Sequence, residues 1–146
     1  MDCPNFFQHR SDPDYFYSVA HKMDPTIHNF VLYLSWSKNG IDNWEPVTEL
    51  EREASQGKVW LSPDSDDILL AFETSPGMNG NHIVLKQYPN LQAMKRQEAS
   101  ETLHIERTLG KLNEGTPSFE KVEFTGSLST SNITLRFHYY HSNNVD

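Results

Sequence analysis

Three residues on two strand-like segments have side chains that a transition metal or a proton-transfer reaction would use. His104 and Glu106 lie in "ETLHIERTL", and His138 lies in "ITLRFHYYHSNN" near the end of the chain. Two imidazoles and a carboxylate suit a divalent transition metal, and imidazoles exchange protons near neutral pH. If the two segments pair, these side chains meet, with His82 as a candidate fourth ligand. A solvated polar face, which antiparallel sheets often expose, is the favoured alternative.

The two histidines of "HYYH", His138 and His141, are three residues apart. On a strand, side chains alternate between the two faces, so an odd spacing points them to opposite sides. The two-residue period of the preceding residues favours a strand here over a helix. We therefore expect two separate histidines and no joint metal site.

Aromatic and polar side chains on the predicted strands indicate a binding surface. Trp44 follows a turn, Trp60 alternates away from its two apolar neighbours, and Tyr140 shares a strand face with Arg136 and His138. Such rings stack on sugar faces or anchor protein interfaces, and polar neighbours supply directional hydrogen bonds. These five residues are the predicted ligand-binding residues. Burial in the core is the common alternative for each tryptophan.

The remaining chemical motifs favour structural roles. Asp64, Asp66 and Asp67 in "SPDSDDI" could offer oxygens to Ca²⁺, but the glycine and distal glutamate of an EF-hand loop are missing and the composition is that of a turn. Cys3 has no sequence neighbour suited to activate or orient its thiol, and no GxSxG motif is present. Enzymatic activity therefore ranks below binding.

Alternating apolar residues predict a chain of short strands. Residues 27–36 alternate with period two and predict a central strand, followed by the turn signal Asn39-Gly40. Residues 13–23 repeat apolar side chains every four positions after a proline, which predicts a short helix, and residues 90–99 predict a second. Further strands are predicted in "VTELERE", "KVWL", "DILLAF", "HIVLKQY", "ETLHIERTL", "FEKVEFTG" and "NITLRFHYY".

The last predicted strand carries a definite face assignment. Leu135 and Phe137 should face the core, while Arg136, His138 and Tyr140 should face solvent or a partner, because the pattern alternates from 133 to 140. Replacing a buried Phe137 with Ala should cost about 3 to 5 kcal/mol, whereas His138→Ala should cost less than about 1 kcal/mol.

Length and composition limit the class of protein. The chain has 146 residues, enough for one domain with a proper core, and 12% of them are aromatic. The net charge of −8 argues against nucleic acid and anionic lipid as partners and favours a basic protein among protein partners. The single cysteine excludes an intrachain disulfide, and no leader or membrane span is recognisable, so we expect a cytoplasmic protein.

Together these patterns predict an all-β protein, mainly an antiparallel β-sandwich or barrel of about eight short strands with one or two short helices. We expect a single domain over residues 1–146, in which the N-terminal segment 1–26 carries a short helix. The predicted function is a non-catalytic binding module for a carbohydrate or a protein, without a cofactor. The alternative is a metal-dependent β-barrel enzyme that uses His104, Glu106 and His138.

Overall fold

A computed structural model describes residues 2–78, 80–109 and 113–140. These residues form three antiparallel sheets. The first sheet contains β1 (Asp2–Phe7), β2 (Phe16–Asp24), β3 (Asn29–Ser37) and β4 (Glu45–Arg52). The second contains β5 (Ala54–Leu61), β6 (Ile68–Thr74), β7 (His82–Tyr88) and β8 (Glu101–Ile105), and the third contains β9 (Asn113–Glu123) and β10 (Asn132–Tyr140).

Each sheet follows chain order, so strands that pair within a sheet are always neighbours in sequence. The prediction of a mainly antiparallel all-β fold is confirmed, and the described residues contain ten strands. Short connections make such meanders the simplest solution for consecutive strands. No described helix is long and apolar enough to cross a membrane.

The sheets stack in three layers, with the second sheet in the middle. Alternate residues of β6 face opposite ways: Ile68, Leu70 and Phe72 join one apolar cluster, while Leu69 and Ala71 join another. The cluster between the first and second sheets is called the first core, and the cluster between the second and third sheets is called the second core. All five of these side chains are fully buried, as expected for a strand covered on both faces.

The predicted helix over residues 13–23 is wrong, because residues 16–24 form strand β2. Val19 faces the first core, while Ser18 and Ala20 on the other face are also buried. Burial of both faces removes the polar alternation that marks a half-exposed strand, and the apolar residues then match a helical period by coincidence. Asp12, just before the segment predicted as a helix, accepts a hydrogen bond from the Tyr17 hydroxyl at 2.5 Å.

The turn between β3 and β4 confirms the Asn39-Gly40 signal. Gly40 has a left-handed φ of 70°, which a glycine adopts without steric cost. The Ser37 hydroxyl donates to the Asp42 carbonyl at 2.6 Å and so closes the loop. A Cβ at position 40 would also collide with the Phe16 ring, so both the conformation and the space require glycine.

The second predicted helix exists but is shorter than residues 90–99. Helix α1 covers Leu91–Lys95, and the side chain of Asn90 caps it by accepting a hydrogen bond from the Ala93 N–H at 2.8 Å. Gln97 has a left-handed φ of 62°, which ends the helical path. Leu91, Ala93 and Met94 are buried and cover one end of the first core.

The C-terminal hairpin has the predicted face assignment. Arg136 and His138 are exposed, whereas Leu135 and Phe137 are half-buried and face the second sheet. The side chain of Tyr140 and residue His141 lie outside the described residues. Since Phe137 is only half-buried, its replacement by Ala should cost less than the loss of a fully buried ring.

Candidate functional site

One end of the stacked sheets carries two adjoining polar cavities of about 250 and 240 Å³, here called the polar groove. Both cavities are lined by Glu73, Asn81 and Asn113, which lie at the end of β6 and the starts of β7 and β9. These positions meet because neighbouring antiparallel strands bring one strand's end beside the next strand's start. All three sheets contribute, since Asn29 of β3 and His138 of β10 also line the groove.

Glu73 occupies the centre of the polar groove. One of its carboxylate oxygens accepts a hydrogen bond from the Ser55 hydroxyl at 2.7 Å, and the other accepts one from the Thr116 N–H at 2.6 Å. The side chain therefore connects the second sheet to the third. Gly115 provides the necessary space, because a Cβ at this position would collide with the carboxylate.

Several polar side chains of the groove keep hydrogen-bonding capacity for a ligand. The side chains of Asn81 and His138 make no hydrogen bond to another described residue. The carboxylates of Glu53 and Glu73 form no ion pair with another described residue. Asn113 uses its side-chain oxygen to accept the Asn81 N–H at 3.1 Å, which positions the groove wall. The groove thus offers carboxylate oxygens, amides and an imidazole on a fixed backbone frame.

An aromatic ring borders the larger cavity. The Phe30 ring lines it beside Glu53 and Ser55 and is half-buried. The ring meets the His21 imidazole edge to face, with ring centroids 4.7 Å apart. This packing fixes the ring at the groove wall, where its face can contact an apolar part of a ligand.

The five predicted ligand-binding residues do not form one surface. His138 lines the polar groove, whereas Arg136 does not line it and donates two hydrogen bonds to Glu120, at 2.9 and 2.5 Å. The Tyr140 backbone pairs with Asn113, and its side chain lies outside the described residues. Among the described side chains of this group, only His138 lines the groove.

Trp44 does not line the groove and lies in the loop before β4. Its ring packs on Phe6 with centroids 5.3 Å apart, and its N–H donates to the Ile41 carbonyl at 3.4 Å. The two rings border a mainly apolar cleft of about 340 Å³ on the outer face of the first sheet, here called the aromatic cleft. Its floor consists of small side chains, Ser18 and Ala20 among them.

Trp60 packs against the second core and also lines a cavity of about 420 Å³ beside the loop 62–67. It is half-buried and contacts the Phe124 ring at a centroid distance of 5.7 Å. The predicted alternation is confirmed, since its neighbours Val59 and Leu61 pack against the first core. Both faces of this strand are covered, which explains why alternation alone did not identify an exposed ring.

The strand pairing that the metal hypothesis requires does not form. His104 lies on β8, which pairs with β7, whereas His138 lies on β10, which pairs with β9. The described residues contain no group of three or more His, Cys, Asp or Glu side chains that could hold a metal ion. Glu106 follows the end of β8 and is exposed. The hypothetical cluster of His104, Glu106 and His138 therefore does not form, because His104 and His138 lie on different sheets.

The side chain that does meet His104 is His82. Their ring nitrogens, Nε2 of His82 and Nδ1 of His104, are 3.3 Å apart. Burial lowers the pKa of His82 below the usual imidazole value, and the nearby His104 and Arg107 lower it further. His82 is therefore neutral at physiological pH and keeps a lone pair for a hydrogen bond or a ligand.

The acidic loop 62–67 uses its side chains for structure. Asp67 accepts hydrogen bonds from the Ser65 hydroxyl at 2.7 Å and from the Gln87 amide at 2.8 Å. Asp66 lies 3.9 Å from the Arg10 guanidinium. These partners agree with the predicted acidic turn.

The sequence patterns missed most of the groove. Glu73, Asn81 and Asn113 belong to no recognised motif, and they are far apart in the chain. The available signal was weak: each is a polar residue at the boundary between a strand and a turn-rich segment. Comparison with protein-family models, curated proteins and solved structures finds no significant match to this chain.

Proposed function

We propose that this chain is a non-catalytic binding module that recognises a carbohydrate in the polar groove. The observation that carries the proposal is the meeting of carboxylate, amide and imidazole side chains from three sheets in two adjoining cavities. Sites for small ligands are concave and contain a few fixed polar groups that set orientation.

A carbohydrate suits this set of side chains because its hydroxyls donate and accept hydrogen bonds. Glu53 and Glu73 offer acceptors, while Asn81 and Asn113 offer both donors and acceptors. The Phe30 ring provides an apolar surface for the carbon face of a sugar. Two adjoining cavities of similar volume suit two neighbouring sugar units.

Binding is favoured over catalysis by the environment of Glu73. Both of its oxygens already accept hydrogen bonds, from the Ser55 hydroxyl and from the Thr116 backbone. These two hydrogen bonds, from two different sheets, hold the carboxylate in one orientation. Such a group holds and orients a ligand.

The test is a glycan array followed by calorimetry with each glycan that binds. Asn81→Ala and His138→Ala should each weaken binding at least about tenfold, because each removes a ligand hydrogen bond. Thr134→Ala, on the exposed outer face of the third sheet, is the matched control and should leave the affinity unchanged. Absence of any glycan ligand, or equal affinity in all four proteins, would contradict the proposal.

A basic protein partner is the second candidate, and the aromatic cleft supports it. Phe6 packs beside Trp44, and 56% of Phe6 is exposed to solvent, which is a large fraction for an apolar aromatic residue. Asp42 and Glu45 are exposed on either side of Trp44 in sequence, and the chain has a net charge of −8. An apolar anchor surrounded by negative charge suits a partner surface with an apolar side chain among lysines and arginines.

The two candidates respond differently to salt and to substitution. Binding of a basic protein at the aromatic cleft should weaken as salt is raised and should be lost in Trp44→Ala, while His138→Ala retains it. Binding of a neutral glycan in the groove should be insensitive to salt and to Trp44→Ala. A partner whose binding survives Trp44→Ala would exclude the cleft as its site.

A further inference from the structure

The contact between His82 and His104 has the geometry of a metal-binding pair. Val84 of β7 lies directly opposite His104 in the register, and His82 is two residues before Val84. The two histidines therefore share one face of the second sheet, as diagonal neighbours on adjacent strands. Their rings are 5.6 Å apart between centroids and are inclined at 36°.

The separation of the two ring nitrogens is the decisive measurement. They lie 3.3 Å apart. Two imidazole nitrogens bound at about 2.0–2.1 Å to a tetrahedral ion are separated by about 3.3–3.4 Å. The terminal torsion of a histidine side chain is broad, so small ring rotations suffice to turn both lone pairs towards one ion.

Both side chains are accessible to an ion from solvent. His104 is exposed and His82 is half-buried. His104 lies on β8, the last strand in the order of the second sheet.

We propose that His82 and His104 form a two-imidazole site for a divalent transition-metal ion, a site that is independent of the polar groove. The described residues supply no third ligand of the His, Cys, Asp or Glu type to this pair, so water completes the coordination. In the free protein one ring donates its N–H to the other. On metal binding that proton moves to the far nitrogen of the same ring, and both rings remain neutral.

The chemistry of the pair sets the order of affinities. Two neutral imidazoles prefer borderline ions such as Zn²⁺, Ni²⁺ and Cu²⁺, and they bind Mg²⁺ and Ca²⁺ poorly, since those ions prefer oxygen ligands. Among the borderline ions, Cu²⁺ should bind most tightly. With two protein ligands, the site should bind Zn²⁺ more weakly than a four-ligand structural site.

The test is a calorimetric titration of the full, untagged chain with Zn²⁺ and Ni²⁺ at pH 7.5, with Mg²⁺ as the negative comparison. His82→Ala and His104→Ala should each reduce the affinity at least about tenfold, because each leaves a single imidazole. Sub-stoichiometric Ni²⁺ should broaden the ring NMR signals of His82 and His104 before those of any other histidine. That readout assigns the site directly.

Two controls separate this site from other potential ligands. His28→Asn removes an exposed imidazole at a left-handed φ of 52°, which asparagine tolerates, and Cys3→Ser removes the exposed thiol. Both variants should bind Zn²⁺ and Ni²⁺ like the unaltered chain. Circular dichroism melts check that every variant is folded, and His104→Gln serves as the second variant at the exposed position.

The proposal is overturned if neither Zn²⁺ nor Ni²⁺ binds more tightly than Mg²⁺. It is equally overturned if binding persists at full affinity in both His82→Ala and His104→Ala, or if Ni²⁺ first broadens the signals of other histidines. Loss of glycan binding in the groove variants leaves this site unaffected, since neither histidine lines the groove.

Discussion

The two cores on either side of the second sheet differ in size and in depth. Among the described residues, the first core contains fourteen buried side chains, whereas the second contains four, surrounded by half-buried side chains. The first joins two four-stranded sheets, and the second joins a four-stranded sheet to a two-stranded hairpin. Apolar area removed from water is the main favourable term in folding, so the first core should supply most of the stability.

This difference has a consequence for the polar groove, which crosses both interfaces. Glu73 belongs to the second sheet, but one of its two hydrogen-bond donors, the Thr116 N–H, belongs to the third. Elements with fewer buried apolar contacts open at a lower free-energy cost than the rest of a protein. The groove wall formed by Asn113 and His138 should therefore open more readily than the wall formed by Asn29.

The largest effect is expected from Leu34→Ala in the first core. Leu34 is fully buried on the central strand β3, so its truncation loses transfer free energy and leaves a cavity. We expect a loss of about 2–5 kcal/mol in the free energy of unfolding, measured by urea denaturation at pH 7. Thr134→Ala, at an exposed position, should change it by less than about 0.5 kcal/mol. A loss below about 1 kcal/mol for Leu34→Ala would show that the first core is not the main source of stability.

The same substitution in the second core should have a smaller effect. Leu135 is half-buried on β10, so Leu135→Ala removes roughly half the area and should cost about 1–1.5 kcal/mol. Hydrogen exchange should also be faster for β9 and β10 amides than for β2, β3 and β6 amides, and Leu135→Ala should widen that difference. Equal losses from Leu34→Ala and Leu135→Ala would mean that the two cores contribute alike.

Sequence patterns identified β10, whose two faces differ, but mistook β2, whose two faces are both covered, for a helix. β10 was predicted because exposed Arg136 and His138 alternate with the half-buried Leu135 and Phe137. β2 was mistaken for a helix because Ser18, on the outer face of the first sheet, is as deeply buried as its core-facing neighbours. The two-residue period of hydrophobicity arises from a difference in polarity between the two faces of a strand. When both faces are buried, that difference is small and the period is lost.

The groove was harder to predict than the strands because it depends on how the sheets stack. Pairing of β6 with β5 brings Glu73 beside Ser55, an arrangement that neighbouring strands in a meander suggest. The contact between Glu73 and Thr116 requires the third sheet to pack on the second in one register. No local pattern encodes that packing, so the sequence carried only a weak functional signal at Asn81 and Asn113. His138 was identified, but through its strand face and without its partners.

The smallest expected effect concerns pH and the buried imidazole of His21, at the groove end of the first core. His21 is 4% exposed and its Nδ1 accepts a hydrogen bond from the Gln56 N–H at 3.3 Å. Burial lowers the pKa of His21 and outweighs the opposing influence of Asp2 and Glu73. The unfolded chain, with an imidazole pKa near 6.5, therefore binds a proton more readily than the folded chain.

Because the unfolded state takes up more protons, the contribution of His21 is fully present above about pH 6.5 and is lost as the pH falls through the lowered value of the folded state. The free energy of unfolding should thus decrease between pH 7.5 and 5.5, a range in which ordinary carboxylates stay ionised. In His21→Gln, the amide oxygen can still accept a hydrogen bond from the Gln56 N–H, and the decrease in the free energy of unfolding should be smaller. The decrease that remains is expected from His82, whose pKa is also lowered. Urea denaturation of both proteins at the two pH values measures the difference, and an equal or steeper decrease in His21→Gln would show that His21 is not the group that makes the first core sensitive to acid.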